Sequence, residues 1–288
     1  MTSITETMND DILICPVCGG VLSRSGGSLL CEKRHCFDIS AKGYVNLLLP
    51  NHMNAKLPGD NKLMVGARRR FLEKGYYEPL ADALCVCAGE YFPDEGAFLD
   101  AGCGEGYYTE KMLSALYGRK KKVRAAAVDI SKAACAAAAV RLKSCPVSVM
   151  TAAASVFRLP AACCGTDMLT TIFAPLCMEE FTRVLKTGGI LIMVIPAPRH
   201  LWQLKQAVYD EPYENTPHDY ALEGYELIDR RSVEDTIELR CREDISDLFM
   251  MTPYYYKTGE EGHRRLEALE TLTTEIAFEV LVYRKNPQ

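Results

Sequence analysis

Between Phe98 and Thr109 the chain reads Phe-Leu-Asp-Ala-Gly-Cys-Gly-Glu-Gly-Tyr-Tyr-Thr: a short apolar run, an acid, glycines at every second position, then a helix-compatible segment. A buried strand turning sharply into a helix over a ligand has this form. Glycine has no Cβ, tolerates positive φ and lets a ligand approach the backbone. Gly102, Gly104 and Gly106 therefore predict a floor of little bulk, with the free amides of a helix opening near Tyr107 aimed at it. Downstream, apolar stretches ending at Asp129, at Met150, at Phe173 and at Ile195 alternate with helical segments over 107–116, 131–143 and 179–185, the last ended by Gly188 or Gly189. Continuous apolar strands alternating with helices predict an α/β fold, its mostly parallel sheet covered on both faces.

The acids narrow the ligand. Asp100 stands before the first glycine, and Asp129 closes the next apolar run. A dinucleotide places its pyrophosphate over such glycines, where a carboxylate repels it. A ligand carrying an ammonium and a ribose is favoured by both carboxylates, and S-adenosylmethionine has both. Asp100, Gly102, Gly104 and Asp129 are accordingly candidate cofactor residues, against the blander reading of a glycine-rich turn with a capping aspartate.

Upstream, Cys15, Cys18, Cys31 and His35 form the pattern C-x2-C-x12-C-x3-H. Four soft or borderline ligands at this spacing close a tetrahedral Zn²⁺ site, and four protein ligands leave no open position, so the zinc is expected to be structural. Cys36 is the alternative fourth ligand. A module of roughly forty residues needs such a staple to fold.

The 288 residues suit one large domain with a small one attached, and the 48% apolar share supplies a substantial core. Because no long uncharged apolar run occurs and residues 1–11 are polar and acidic, neither a membrane span nor a secretory signal is expected. Thirteen cysteines in a chain of this size point to free or metal-bound thiols in a reducing cytoplasm. The net charge of −5 argues against coating nucleic acid by bulk charge. One stretch departs from that balance: Lys56, Lys62, Arg68, Arg69, Arg70 and Lys74 face only Asp60 and Glu73 between positions 56 and 74. It reads either as a solvated helix face or as a phosphate-contacting patch carried by Lys56, Arg68, Arg69 and Arg70.

Three parts follow: a zinc-binding module over 1–50, a basic linker and helical region over 51–90, and the glycine-loop domain over 91–288. Residues 43–50 read as a strand ended by proline, and 61–87 as a helix interrupted at Gly75 and Pro79. In the last eighty residues, 225–228, 236–240 and 275–283 read as strands, an antiparallel pair finishing the sheet.

Several of these residues resemble a known family. Asp100-Ala101-Gly102-Cys103-Gly104-Glu105-Gly106, the acid at Asp129 and Arg183-Val184-Leu185-Lys186-Thr187-Gly188-Gly189 are similar to the signatures of class I S-adenosylmethionine-dependent methyltransferases, with Thr187 where a proline is usual. The zinc module, Gly43-Tyr44-Val45-Asn46-Leu47-Leu48, Pro58-Gly59-Asp60, Ala67-Arg68-Arg69-Arg70-Phe71-Leu72 and Pro198-Arg199-His200-Leu201 narrow this to a resemblance to bacterial 23S rRNA (guanine-N1)-methyltransferases, spanning Cys15 to about Tyr256. The resemblance implies a Rossmann-like methyltransferase fold, S-adenosylmethionine, 23S rRNA as partner with a guanine N1 in a hairpin loop as target, and a homodimer. It also implies cofactor contacts at Tyr77, Gly104, Glu105 and His200. Methyltransferases of exocyclic amines end the fourth strand with Asn or Asp and two prolines. Here that position reads Ile172-Phe173-Ala174-Pro175, which is compatible with a ring nitrogen and names no catalytic base. Two other readings stand beside this one: a methyltransferase for a small molecule or protein, and a non-catalytic protein that binds cofactor or rRNA.

Overall fold

The computed structural model describes residues 12–49, 59–216 and 220–287. At the amino end, the short strands β1 (Ser23–Ser25), β2 (Ser28–Leu30) and β3 (Cys36–Asp38) make a three-stranded antiparallel sheet. Next, β4 (Val45–Asn46) leaves it and pairs in parallel elsewhere; of the strand expected over 43–50, residues 43, 44 and 47–49 are irregular and Pro50 lies outside the described residues.

Helix α1 (Lys62–Glu73) opens where Asn61 Oδ1 accepts the amides of Leu63 and Met64 at 2.9 and 3.1 Å, an N-cap that satisfies donors the helix cannot. Gly75, at φ 80°, ends the turn after it. Pro79 then sits in the first turn of α2 (Glu78–Tyr91), where its missing N–H costs nothing. The alternation follows: β5 (Glu95–Ala101), α3 (Tyr107–Gly118), β6 (Lys122–Asp129), α4 (Lys132–Arg141), β7 (Val149–Ala153), β8 (Thr166–Ile172), α5 (Met178–Val184), β9 (Leu185–Pro196) and α6 (Trp202–Val208). The chain closes with β10 (Tyr225–Leu239), α7 (Arg242–Met250), α8 (Tyr254–Lys257), α9 (Glu260–Glu267) and β11 (Leu272–Lys285).

The large sheet runs β10-β11-β9-β8-β5-β6-β7-β4. Strands β9 through β4 are mutually parallel, while β11 and β10 add antiparallel. This is a class I methyltransferase fold. Successive residues of the central strands serve opposite faces. Phe98, Ile190 and Ile192 pack with Phe71, Leu84 and Leu113 on one side. Leu99 and Leu191 pack with Phe181 on the other, and there the zinc-module residues Leu13, Leu22, Leu29 and Val45 join the same core. The module is therefore mounted on the sheet, a connection reinforced by Ile14 N–H donating to Pro160 O at 2.7 Å.

Two further expectations are corrected. Helix α5 ends at Val184, and Gly188 and Gly189 lie inside β9, where the pairing with β8 jumps from Leu185 to Ile190. The strands expected over 225–228 and 236–240 are one fifteen-residue strand, β10. Its middle, Asp229-Arg230-Arg231, looks like a loop by composition. As an edge strand it carries charge on its open side, with Arg230 paired to Glu279 of β11 at 2.8 Å and Arg231 to Asp229 at 2.8 Å.

Candidate functional site

The amino-terminal ligands sit on two turns. Cys15 and Cys18 flank one in which Gly19 N–H donates to Cys15 O at 2.8 Å, and Cys31 and His35 flank another in which Arg34 N–H donates to Cys31 O at 2.8 Å. Cys18 Sγ lies 3.6 Å from Cys31 Sγ; His35 Nδ1 lies 3.3 Å from Cys31 Sγ and 3.5 Å from Cys15 Sγ. All four ligand atoms fall within 4.8 Å of one another. A tetrahedron with Zn–S of about 2.3 Å and Zn–N of about 2.0–2.1 Å has edges of roughly 3.5–3.8 Å, so the donors fit zinc. Burial pushes the Cys31 thiol up, but hydrogen bonds from the His35 backbone and from Cys18, His35 and Cys15 side chains bring it down to about 6, toward the thiolate a metal requires. Cys36 is exposed on β3 and lies outside the cluster. The fourth donor of the cluster is His35.

The glycine loop joins β5 to α3. Gly102, Gly104 and Gly106 have φ of 94°, 55° and 86°, all left-handed. At Gly102 space decides as well as conformation, since a Cβ there would lie 2.3 Å from the Cβ of Ala174 in the turn after β8. Gly104 N–H donates to Asp129 Oδ2 at 2.9 Å and Ser131 N–H to Oδ1 at 2.8 Å, tying the loop to the end of β6. Burial raises the Asp129 carboxyl against these two amides. Asp100 is buried, and its oxygens accept the Thr109 hydroxyl at 2.5 Å and the Thr170 hydroxyl at 2.9 Å. Its burial outweighs both hydroxyls and pushes its carboxyl up to about 6.

Glu105 is buried with Oε2 accepting Arg141 Nε–H at 2.8 Å; among the described residues Oε1 has no hydrogen-bond partner, and neither has the buried hydroxyl of Tyr108. Orphaned buried polar atoms beside a bare glycine floor suit a polar ligand such as S-adenosylmethionine.

Tyr77 and His200, 123 residues apart, meet at 3.5 Å between the phenol oxygen and Nε2. His200 Nδ1 accepts the Ala277 amide at 3.2 Å, so the ring's own hydrogen is on Nε2 and donates to Tyr77. Burial, with Lys205 nearby, pushes the imidazole down to about 3 and keeps it neutral. Both rings pack on Phe278, at centroid distances of 4.5 Å for His200 and 4.9 Å for Tyr77. Gly104, Glu105, Asp100 and Asp129 thus come together as one loop system, and Tyr77 with His200 form an aromatic wall.

The arginines diverge. Arg68 turns inward: its Nη1 pairs with Asp60 at 2.5 Å, lies 3.5 Å from where a Gly104 Cβ would stand, and its Nη2 donates to Met251 O at 3.3 Å. Arg70 holds the buried Asp247 of α7 with two hydrogen bonds, at 2.9 and 2.5 Å, and Lys74 pairs with Asp244. Arg69 makes an exposed pair with Glu73 at 2.8 Å. Lys56 lies outside the described residues. Much of the basic stretch is therefore spent fastening α1 to α7. The sequence carries no signal for the orphaned hydroxyl of Tyr108, which reads as one more apolar step of α3, or for the inward course of Arg68; the acid at Asp60, just before α1, is the signal for its partner.

Among the described residues no helix is long and apolar enough to cross a membrane. A zinc-ribbon family described as "RlmA, N-terminal" matches residues 13–56, and the "Methyltransferase domain" family matches residues 98–189. A Streptomyces fradiae 23S rRNA (guanine(748)-N(1))-methyltransferase is 33% identical over 200 residues, covering 68% of this chain and 67% of its own length. A Micromonospora griseorubida protein provisionally named 23S rRNA (guanine-N(1)-)-methyltransferase is 33% identical, covering 67% of this chain and 68% of its own. A Bacillus subtilis (strain 168) protein, YxjB, with the same provisional name is 29% identical over 97% of this chain and 99% of its own.

Proposed function

The chain belongs to the 23S rRNA (guanine-N1)-methyltransferase family and uses S-adenosylmethionine, and we propose on that premise that it methylates N1 of a guanine in a hairpin loop of 23S rRNA in the cytoplasm. One observation carries the reading: a Cys3His zinc ribbon and a glycine-loop methyltransferase fold occur together and in this order, along a span that the B. subtilis relative shares almost end to end.

In this reading Asp100 and Asp129 serve the ammonium and ribose ends of the cofactor, Gly102, Gly104 and Glu105 line its floor, and Tyr77 and His200 form its wall. Bound S-adenosylmethionine supplies a sulfonium methyl already activated for transfer. The residues of the chain contribute geometry, holding the ring nitrogen in line with that methyl and keeping water out. Guanine N1 must also lose a proton, which calls for an acceptor beside it. His200 is unsuited to that part, because its Nδ1 accepts a backbone amide and its Nε2 carries the hydrogen. Phosphate contact falls first to Lys56 and to Arg69, whose pair with Glu73 is exposed. Arg68 and Arg70 join them only by giving up Asp60 and Asp247. The proposed division assigns recognition to residues 1–50 and 51–90 and methyl transfer to 91–288.

Incubation with labelled S-adenosylmethionine and unmodified large-subunit rRNA tests the reading. Label in the RNA and a reverse-transcription stop beside one guanine are expected. Label confined to metabolite or protein pools, or cofactor binding without turnover, overturns it.

A further inference from the structure

The turn after β8 borders the glycine floor and carries a backbone conformation that side chains rarely adopt. Phe173 adopts φ 55°, in the left-handed region, where a bulky residue is an outlier. The residue is nonetheless 46% exposed. Five non-glycine residues among those described have positive φ, namely Arg34, Lys120, Cys164, Phe173 and Leu201, and Phe173 alone of them is aromatic. Strain of this kind persists where surrounding structure enforces it, and it concentrates at ligand sites.

Its surroundings place it at the mouth of the site. β8 runs parallel to β5, so both strands end on the same side of the sheet, where ligands bind in folds of this type. The residue after Phe173, Ala174, is the one a Gly102 Cβ would strike at 2.3 Å, so the turn touches the glycine floor. The ring of Phe173 rests on Phe278 at 5.5 Å between centroids, and Phe278 is the same ring that carries His200 and Tyr77. Phe173 is thus the exposed member of a group of four rings whose buried members form the wall of the cofactor site.

N1 lies in the plane of guanine. To face a methyl donor with its edge, the base must leave its own stack, and the enzyme has to restore a face for it to lie on. Resting on the function proposed above, we propose that Phe173 is the platform on which the target guanine stacks. It is a substrate-positioning residue, fixing the plane of the base and not the cofactor. The sequence Ile172-Phe173-Ala174-Pro175 then has its own logic: no amide or carboxylate stands before Pro175 to hold an exocyclic amine, and a flat apolar face stands one residue earlier, at Phe173. The strained backbone turns the ring outward, toward an arriving base, instead of letting it bury.

The test compares wild type, Phe173→Leu and Phe173→Trp on unmodified large-subunit rRNA, with S-adenosylhomocysteine affinity measured by calorimetry for each. Leucine keeps apolar bulk and removes the π face; tryptophan keeps the face. The expected result is a roughly ten-fold or greater loss of kcat/KM for RNA in Phe173→Leu, the size of one base–aromatic stack, with Phe173→Trp close to wild type and S-adenosylhomocysteine affinity unchanged in both. Wild-type kcat/KM in Phe173→Leu overturns the platform while leaving the function intact. So does a loss of S-adenosylhomocysteine affinity that parallels the loss of kcat/KM, which marks Phe173 as a brace of the cofactor site. If wild type modifies no guanine in rRNA, the function itself fails and the platform with it.

Discussion

The cysteine–histidine cluster and the glycine loop each gather residues that are distant in sequence, but different forces hold them. The cluster hangs on two turns among strands of three residues, β1 wholly exposed, and the apolar side chains around it, such as Leu13, Leu22 and Leu29, are buried only in the core shared with the large sheet. The glycine loop ends a strand buried along six of its seven residues, and Asp129 and Asp100 brace it through two amides and two hydroxyls. Metal binding at the first is folding free energy. At the second the chain's own hydrogen bonds and a buried strand brace the loop, as suits a largely preformed site.

The sharpest way to break this comparison is to remove the metal. Cys31→Ser, or chelation, deletes a contribution on the order of 10 kcal/mol in isolated zinc modules. It is expected to release zinc and open residues 12–45 to proteolysis while S-adenosylhomocysteine affinity changes by less than about two-fold; equal loss at both sites contradicts the separation. Next in size is Gly102→Ala, which combines a left-handed φ with the clash at Ala174. A destabilisation of about 2–4 kcal/mol in urea unfolding is expected, with cofactor binding lost and zinc content retained.

Asp100 sharpens the comparison through pH. Its carboxyl is raised from an ordinary 3.8 to about 6 by burial. Below the lower value both folded and unfolded chains hold the proton; between the two the folded chain holds it and the unfolded chain releases it, so stability falls as pH rises through this window and levels off above it. The loss is roughly 3 kcal/mol. Asp100→Asn is expected to lack that slope in denaturant midpoints taken from pH 4 to pH 7, and an unchanged slope shows that Asp100 is not its source. Smaller again are the arginines of α1. Arg70→Gln leaves Asp247 buried without its bidentate partner and is expected to cost about 1–3 kcal/mol. Arg69→Gln is expected to change stability by less than about 0.5 kcal/mol and to lower the salt dependence of RNA binding by about one phosphate contact. Reversal of those two outcomes would show that α1 reads RNA with Arg70 and holds the fold with Arg69.

What could be read from residues alone follows from how local each feature is. The zinc spacing and the glycine loop are legible because ligand geometry and positive φ constrain a few consecutive residues. The alternation of apolar runs and helices gave the parallel sheet, since Leu99, Val128 and Leu191 report their burial directly. Long-range pairing was not legible. Nothing near Arg70 indicates that its partner lies 177 residues away, so from sequence the fastening between helices reads as a solvated face or a phosphate patch. Strand β10 reads as two strands because charges on an open edge imitate a loop, and only resemblance, not periodicity, points to Tyr77 and His200. Phe173 looked like the last apolar residue of a strand; its left-handed turn depends on the glycine loop beside it.

Where the methyl group goes is the most direct test of the function proposed for this chain. Unmodified large-subunit rRNA, incubated with the zinc-loaded protein and S-adenosylmethionine, is digested to nucleosides and the methylated product identified by mass spectrometry. The account predicts 1-methylguanosine from a single position. A guanosine methylated on its exocyclic amine, or RNA that returns without a methyl group, contradicts it.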